Sequence, residues 1–162
     1  MEDQQQVITV VCSGNICRSP MAERLLRHAL EAEEKPLSQT KVYSAGVSAF
    51  PGDPPSRHAV IALQKVGLDL SDHRSRPLSG ELMDITDLLL VMTCRHLEAV
   101  RLLYPDWNHP MHLFREWVPE GASTEVPDPF GASLGLYLET RDSLAEAVPG
   151  ILHNLKTTFS SK

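Results

Sequence analysis

The chain has 162 residues, 42% of them hydrophobic and 22% charged, with a formal net charge of −6 at pH 7. That length suits one domain with a single substantial core, and no apolar run is long enough to predict a membrane span. The acidic balance, with no block of Lys and Arg, argues against a nucleic-acid partner, because such binding neutralises phosphates with clustered cations. It leaves room for a single phosphate, which backbone amides and one arginine can hold whatever the global charge.

The first residues, Met1 to Gln6, are polar and acidic and lack the basic-then-apolar order of an export signal. They read as a flexible tail over 1–6, followed by one domain over 7–158. Val7-Ile8-Thr9-Val10-Val11 is short and β-branched, the pattern of a buried parallel strand. Ser13-Gly14-Asn15 breaks it, and from Ser19 onward Pro20 suits a first helical turn, with Met21, Leu25 and Ala29 at helical spacing. Lys41 to Ser44 reads as a second strand and Pro55 to Val66 as a helix. Asp87 to Met92 predicts a third strand, leading into a helix that carries Leu97, Val100 and Tyr104. Met111 to Phe114 predicts a short fourth strand, and Leu144, Val148, Ile151 and Leu155 mark a last helix. Pro149-Gly150 falls inside that helix and predicts a kink or a restart. The alternation predicts an α/β fold: a four-stranded parallel sheet with right-handed crossovers and helices on both faces. Ligands of such sheets bind beyond the carboxyl ends of the strands, where the loop after the first strand and the Pro-rich loop at Val126-Pro127-Asp128-Pro129 both lie.

Three cysteines, Cys12, Cys17 and Cys94, are too few and too oddly numbered for a secreted disulfide framework. They point to a reducing cytoplasm. They have no paired CxxC spacing, and the seven histidines show no HExxH, so neither a metal nor another cofactor is expected. Cys12 and Arg18 bracket a segment of chemical interest, Cys12-Ser13-Gly14-Asn15-Ile16-Cys17-Arg18-Ser19. A loop of small residues entering a helix turns backbone N–H groups inward as an anion nest, reinforced by the helix dipole. Gly14 and Asn15 tolerate the left-handed backbone such a curl needs. Arg18 can offer a two-pronged guanidinium to phosphate oxygens. Cys12, at the strand end, faces the same donors, a setting that favours the thiolate and makes it a nucleophile. Ser19 can donate its hydroxyl to that sulfur. Attack on phosphorus also needs an acid for the leaving oxygen and a base for the water that follows. Asp128, between Pro127 and Pro129, is the candidate on loop chemistry, one among 21 carboxylates. The alternative is a plain Pro-Asp-Pro-Phe-Gly turn.

Val11-Cys12-Ser13-Gly14-Asn15-Ile16-Cys17-Arg18-Ser19-Pro20, with Asp128-Pro129-Phe130-Gly131 toward the end, resembles the low-molecular-weight protein tyrosine phosphatase family. Tyr43-Ser44-Ala45-Gly46-Val47 and His73-Arg74-Ser75-Arg76-Pro77-Leu78 agree with it. The resemblance implies Cys12 as nucleophile, Arg18 as phosphate and transition-state clamp, and Asp128 as general acid and base. It implies that Asn15, Ser19, Ser44 and His73 form a network holding the loop. It also implies a reversible Cys12–Cys17 disulfide; the alternative for Cys17 is a small buried residue at the helix start. Cys94 has no counterpart role and is expected to be a buried thiol at a strand end.

The substrate expected is a phosphorylated protein or peptide, acted on by a monomer or weak dimer. Ile16 stands where the tyrosine branch of the family carries Ile or Leu and the arginine branch Thr, and a branched apolar residue there favours an aromatic leaving group. Phosphotyrosine is therefore the expected substrate. The segments at His73 and Asp128 look closer to the bacterial protein arginine phosphatase branch, which keeps phosphoarginine open. Phe50 and Phe130 are expected at the pocket mouth, with a place in the core as the alternative. Two further readings are an arsenate reductase, which lacks a thiol for its relay here, and a non-catalytic phosphate-binding module, against which the joint presence of Cys12, Arg18 and Asp128 speaks.

Overall fold

The computed structural model describes residues 5–160. Its four strands are β1 (Val7–Cys12), β2 (Lys41–Gly46), β3 (Leu88–Val91) and β4 (Met111–Leu113). They form one sheet in the order β2-β1-β3-β4, parallel throughout. The helices are α1 (Arg18–Glu31), α2 (Arg57–Gln64), α3 (Gly80–Ile85), α4 (Cys94–Leu103) and α5 (Leu134–Ser160). Sequence reading does not anticipate α3 or the short 3-10 turn over Leu37–Gln39. Each lacks the length over which hydrophobic periodicity can be recognised.

Alternation along the strands explains the two-sided cover. Ile8, Val10, Leu88 and Leu90 point into a core shared with Met21, Leu26, Leu63, Leu144 and Ile151 of α1, α2 and α5. Val11, Leu89 and Val91 point the other way, into a smaller core with Leu82 and Met83 of α3 and Val100 of α4. Successive strand residues face opposite sides, so a strand buried on both faces must be apolar throughout.

Residues 1–4 of the expected tail lie outside the described residues, while the Gln6 carbonyl accepts the Lys41 amide at 2.9 Å, so pairing begins before Val7. Of the kink or restart expected at Pro149-Gly150, the restart does not occur: α5 runs through both residues. Burial of Leu144, Val148, Ile151 and Leu155 in the main core holds the helix across the proline. Gly150 is a close-packing position, since a Cβ there would meet the Trp117 carbonyl oxygen at 2.6 Å.

Strand order also places the site. With β1 central, the chain leaves it toward β2 on one side and later returns to β3 on the other. The carboxyl ends of β1 and β3 are neighbours, with Val11 level with Val91, so the β1–α1 and β3–α4 loops face each other.

Candidate active site

Cys12 ends β1, and the chain then curls through Ser13 to Cys17 before α1 begins at Arg18. Asn15 makes the curl possible with φ of +57°, the left-handed region that asparagine tolerates. Its amide N–H points back at Cys12 Sγ, 3.3 Å away. Its side chain is buried and fully engaged. Nδ2 donates to Ser19 Oγ at 2.9 Å and to Ser44 Oγ at 3.0 Å, and Oδ1 accepts the Arg76 amide at 3.0 Å. The Asn15 carbonyl accepts from His73 Nε2 at 2.8 Å, which sets the tautomer of that ring. Burial pushes the His73 pKa below its ordinary value, opposed by the bond to Asn15, so the ring stays neutral. Asn15, Ser19, Ser44 and His73 thus meet in one network.

Ser19 Oγ lies 2.9 Å from Cys12 Sγ. Because Asn15 already donates to that oxygen, the serine proton is available to the sulfur. Arg18 is 4% exposed; its Nη1 donates to the Val126 carbonyl at 2.9 Å and its Nη2 to Ser13 Oγ at 3.4 Å. Nη2 also lies 3.9 Å from Asp128 Oδ2. The Asp128 side chain is about half exposed, and its Oδ1 accepts the Phe130 amide at 3.0 Å in an Asx turn.

Cys12, Ser13, Gly14, Ile16, Cys17, Arg18, Ser48, Asp128 and Phe130 line a single cavity of about 260 Å³. The Cys12 thiol, the Arg18 guanidinium and the Asp128 carboxylate therefore converge although Asp128 lies far along the chain. Phe130 is exposed at this cavity, whereas Phe50 is not among its lining residues and is 75% exposed. The Phe50 carbonyl accepts from Ser75 Oγ, and Ser75 also exchanges backbone bonds with Asp53 and Gly52, which ties that loop down from behind. Ser48, which sequence reading does not single out, is part of the cavity wall. Neither phenylalanine is a core residue.

Cys17 is buried, 3.2 Å from Tyr137 Oη and 3.4 Å from Ser56 Oγ. Burial pushes its pKa up, the two hydroxyls partly opposing, which keeps it a thiol; the Tyr137 phenol is pushed up to about 12, also by burial. Cys94 contradicts the expectation: it is exposed, at the first residue of α4, because β3 ends three residues earlier and the first helical turn faces solvent. No group of three or more His, Cys, Asp or Glu among the described residues could hold a metal ion.

Three participants escape sequence reading. Arg76 presents its amide to Asn15 and its Nε to the Ser44 carbonyl at 3.0 Å, and stacks over Tyr43. Tyr137 reaches Cys17 from α5. His96, on the first turn of α4, places Nε2 2.8 Å from Ser13 Oγ. The one available signal for His96 is its position just after the third strand, at the end of the sheet where ligands bind.

The model of the family described as "Low molecular weight phosphotyrosine protein phosphatase" matches residues 7–161. Among similar proteins is a protein-arginine-phosphatase of Bacillus subtilis, 39% identical over 92% of this chain and 96% of that protein. Another is the probable low molecular weight protein-tyrosine-phosphatase AmsI of Erwinia amylovora, 36% identical over 91% of this chain and 90% of that protein. The crystal structure of the tyrosine phosphatase Wzb from Escherichia coli K30, in complex with sulphate, superposes with a TM-score of 0.83 at 34% identity, covering 94% of this chain and 99% of that one. With its family's model matched over nearly its whole length, the chain belongs to the low-molecular-weight phosphotyrosine protein phosphatases.

Proposed function

We propose that this protein hydrolyses phosphotyrosine in phosphorylated proteins through a phosphocysteine intermediate. The observation that carries the reading is the convergence of Cys12 Sγ, the Arg18 guanidinium and the Asp128 carboxyl on one cavity. Cys12 Sγ, assisted by the Ser19 hydroxyl, attacks phosphorus; the loop amides and Arg18 take up the charge on the equatorial oxygens. Asp128, in its acid form, protonates the departing phenolic oxygen. As carboxylate it then takes a proton from the water that cleaves the S–P bond, releasing inorganic phosphate and returning Cys12 as thiolate. Asp128 is suited to both steps by its exposure, which lets water and leaving group reach it. The domain over 7–158 carries all of these groups and needs no cofactor.

Ile16 and Phe130 support an aromatic leaving group, since both present apolar surface at the cavity that receives it. A second reading, phosphoarginine, is favoured by the Bacillus relative named protein-arginine-phosphatase. Steady-state assays with para-nitrophenyl phosphate, a phosphotyrosine peptide and a phosphoarginine peptide decide between them. Phosphotyrosine is expected to be turned over best. A strong preference for phosphoarginine reverses the substrate assignment, and no turnover of any of the three leaves a binding module. Cys12→Ser is expected to abolish turnover, and chelators to leave it unchanged.

Cys17 supports a redox role for the same loop. Peroxide converts the Cys12 thiolate to a sulfenic acid; the Cys17 thiol then condenses with it, water leaves, and a reducible disulfide replaces a sulfur open to further oxidation. Peptide mapping after mild peroxide treatment tests for that bond.

A further inference from the structure

His96 is a 5% exposed polar side chain that the proposed chemistry does not use. Topology brings it to the site. β1 and β3 are adjacent and parallel, so the first turn of α4 lies against the phosphate loop that leaves β1. Thr93 caps α4: its Oγ1 accepts the His96 amide at 3.4 Å and lies 3.1 Å from His96 Nδ1. The other ring nitrogen, Nε2, is 2.8 Å from Ser13 Oγ, and that oxygen accepts Arg18 Nη2 at 3.4 Å. A continuous chain therefore runs from the helix cap through the ring and the Ser13 hydroxyl to the guanidinium.

The two prongs of Arg18 are restrained unequally. Nη1 has a short bond to the Val126 carbonyl, whereas Nη2 has a serine hydroxyl at the long end of hydrogen-bond distance and, beyond it, the half-exposed Asp128 carboxylate at 3.9 Å. A free hydroxyl rotor is a poor fixed acceptor. In the tautomer that carries its proton on Nδ1, directed at Thr93 Oγ1, Nε2 accepts the Ser13 O–H and fixes that rotor, leaving an oxygen lone pair for Nη2. Burial, with Arg18 close by, keeps the ring neutral, pushing its pKa down to about 4.

We propose that His96 is a positioning residue for the phosphate clamp: through Nε2 it orients the Ser13 hydroxyl, which in turn holds Arg18 Nη2 at the cavity wall. The proposal rests on the loop being a phosphate site. A purely structural role would need only burial of the ring and the Thr93 bond; the positioning role needs Nε2 itself.

Two conservative variants separate these. His96→Asn keeps a polar atom near the Nδ1 position and is too short to reach Ser13, while His96→Gln keeps one near Nε2. Binding of inorganic phosphate, read by titration calorimetry, is expected to weaken roughly tenfold in His96→Asn and to stay near wild type in His96→Gln. In a Ser13→Ala background the two variants are expected to bind phosphate alike. Equal phosphate affinity of the two variants with Ser13 present overturns the proposal, as does the same difference persisting without Ser13. A wild type that hydrolyses para-nitrophenyl phosphate alongside either of those results overturns the His96 role alone. A wild type that binds phosphate and hydrolyses nothing overturns the hydrolase reading alone, since the phosphate titration requires no turnover.

Discussion

In Arg18 one guanidinium joins segments 108 residues apart in sequence, because Nη1 bonds the Val126 carbonyl while Nη2 faces Ser13 and Asp128. The proposed clamp and the proposed acid are thereby set relative to each other by a single side chain. Removing the acid leaves the nucleophile and its nest in place. Asp128→Ala is therefore expected to lower kcat by about a hundredfold or more for a phosphotyrosine peptide, and far less for para-nitrophenyl phosphate, whose leaving group needs little protonation. Comparing the two substrates checks this; an equal loss on both would assign Asp128 a different role. Asn15 shows how much of the loop depends on one residue. Alanine there would remove three side-chain hydrogen bonds and sit poorly at φ of +57°. Asn15→Ala is expected to lower stability by roughly 2–4 kcal/mol by urea denaturation, with kcat falling as the loop loses its shape.

Among the elements, the end of β2 packs directly against the phosphate loop. The Val47 amide donates to the Cys12 carbonyl at 3.0 Å and the Ser48 amide to the Ser13 carbonyl at 2.9 Å. Gly46 immediately precedes these contacts, and a Cβ on it would lie 2.3 Å from the Ser13 carbonyl oxygen. Gly46→Ala must push backbone against backbone, so about 1–3 kcal/mol of stability should be lost. Because the displaced atom belongs to the loop, kcat/KM should fall as well; thermal unfolding and steady-state kinetics on the same preparation check both. The same reasoning explains the Pro149-Gly150 pair. As local signals they mean a break, yet Gly150 is there to admit Trp117 and the flanking apolar residues hold α5 continuous. Packing overrides propensity when the helix face is buried.

At the scale of the molecule, two buried histidines tie stability to pH. His73 and His96 both have folded-state pKa values below the ordinary 6.5, chiefly through burial. The unfolded chain therefore takes up protons first, and stability is full above pH about 6.5 and is lost as pH falls. For His96 a drop from 6.5 to about 4, at about 1.4 kcal/mol per pH unit, corresponds to on the order of 3 kcal/mol lost by the acid end of that window. Urea midpoints measured from pH 7 down to pH 4 should fall in wild type, and fall less steeply in His96→Gln. Parallel curves would show that the ring titrates normally.

The proposed nucleophile and clamp, the curled loop between them and the sheet were legible in the sequence for a local reason. A β-branched strand, a Gly-Asn curl and a proline-started helix are contiguous, and each is governed by short-range sterics. Asp128 was legible only in part: loop chemistry offered it among many carboxylates, and resemblance chose it. What tertiary structure alone decided are contacts between segments distant in sequence. These include Arg76 and His96 against the loop, Tyr137 and Ser56 on Cys17, Ser48 at the cavity wall, and an exposed Cys94. No periodicity encodes such partners, because they depend on which strand ends the sheet order makes neighbours. The sequence by itself determined the chemistry of the loop; the order β2-β1-β3-β4 decided what surrounds it, by setting the first turn of α4 against Ser13.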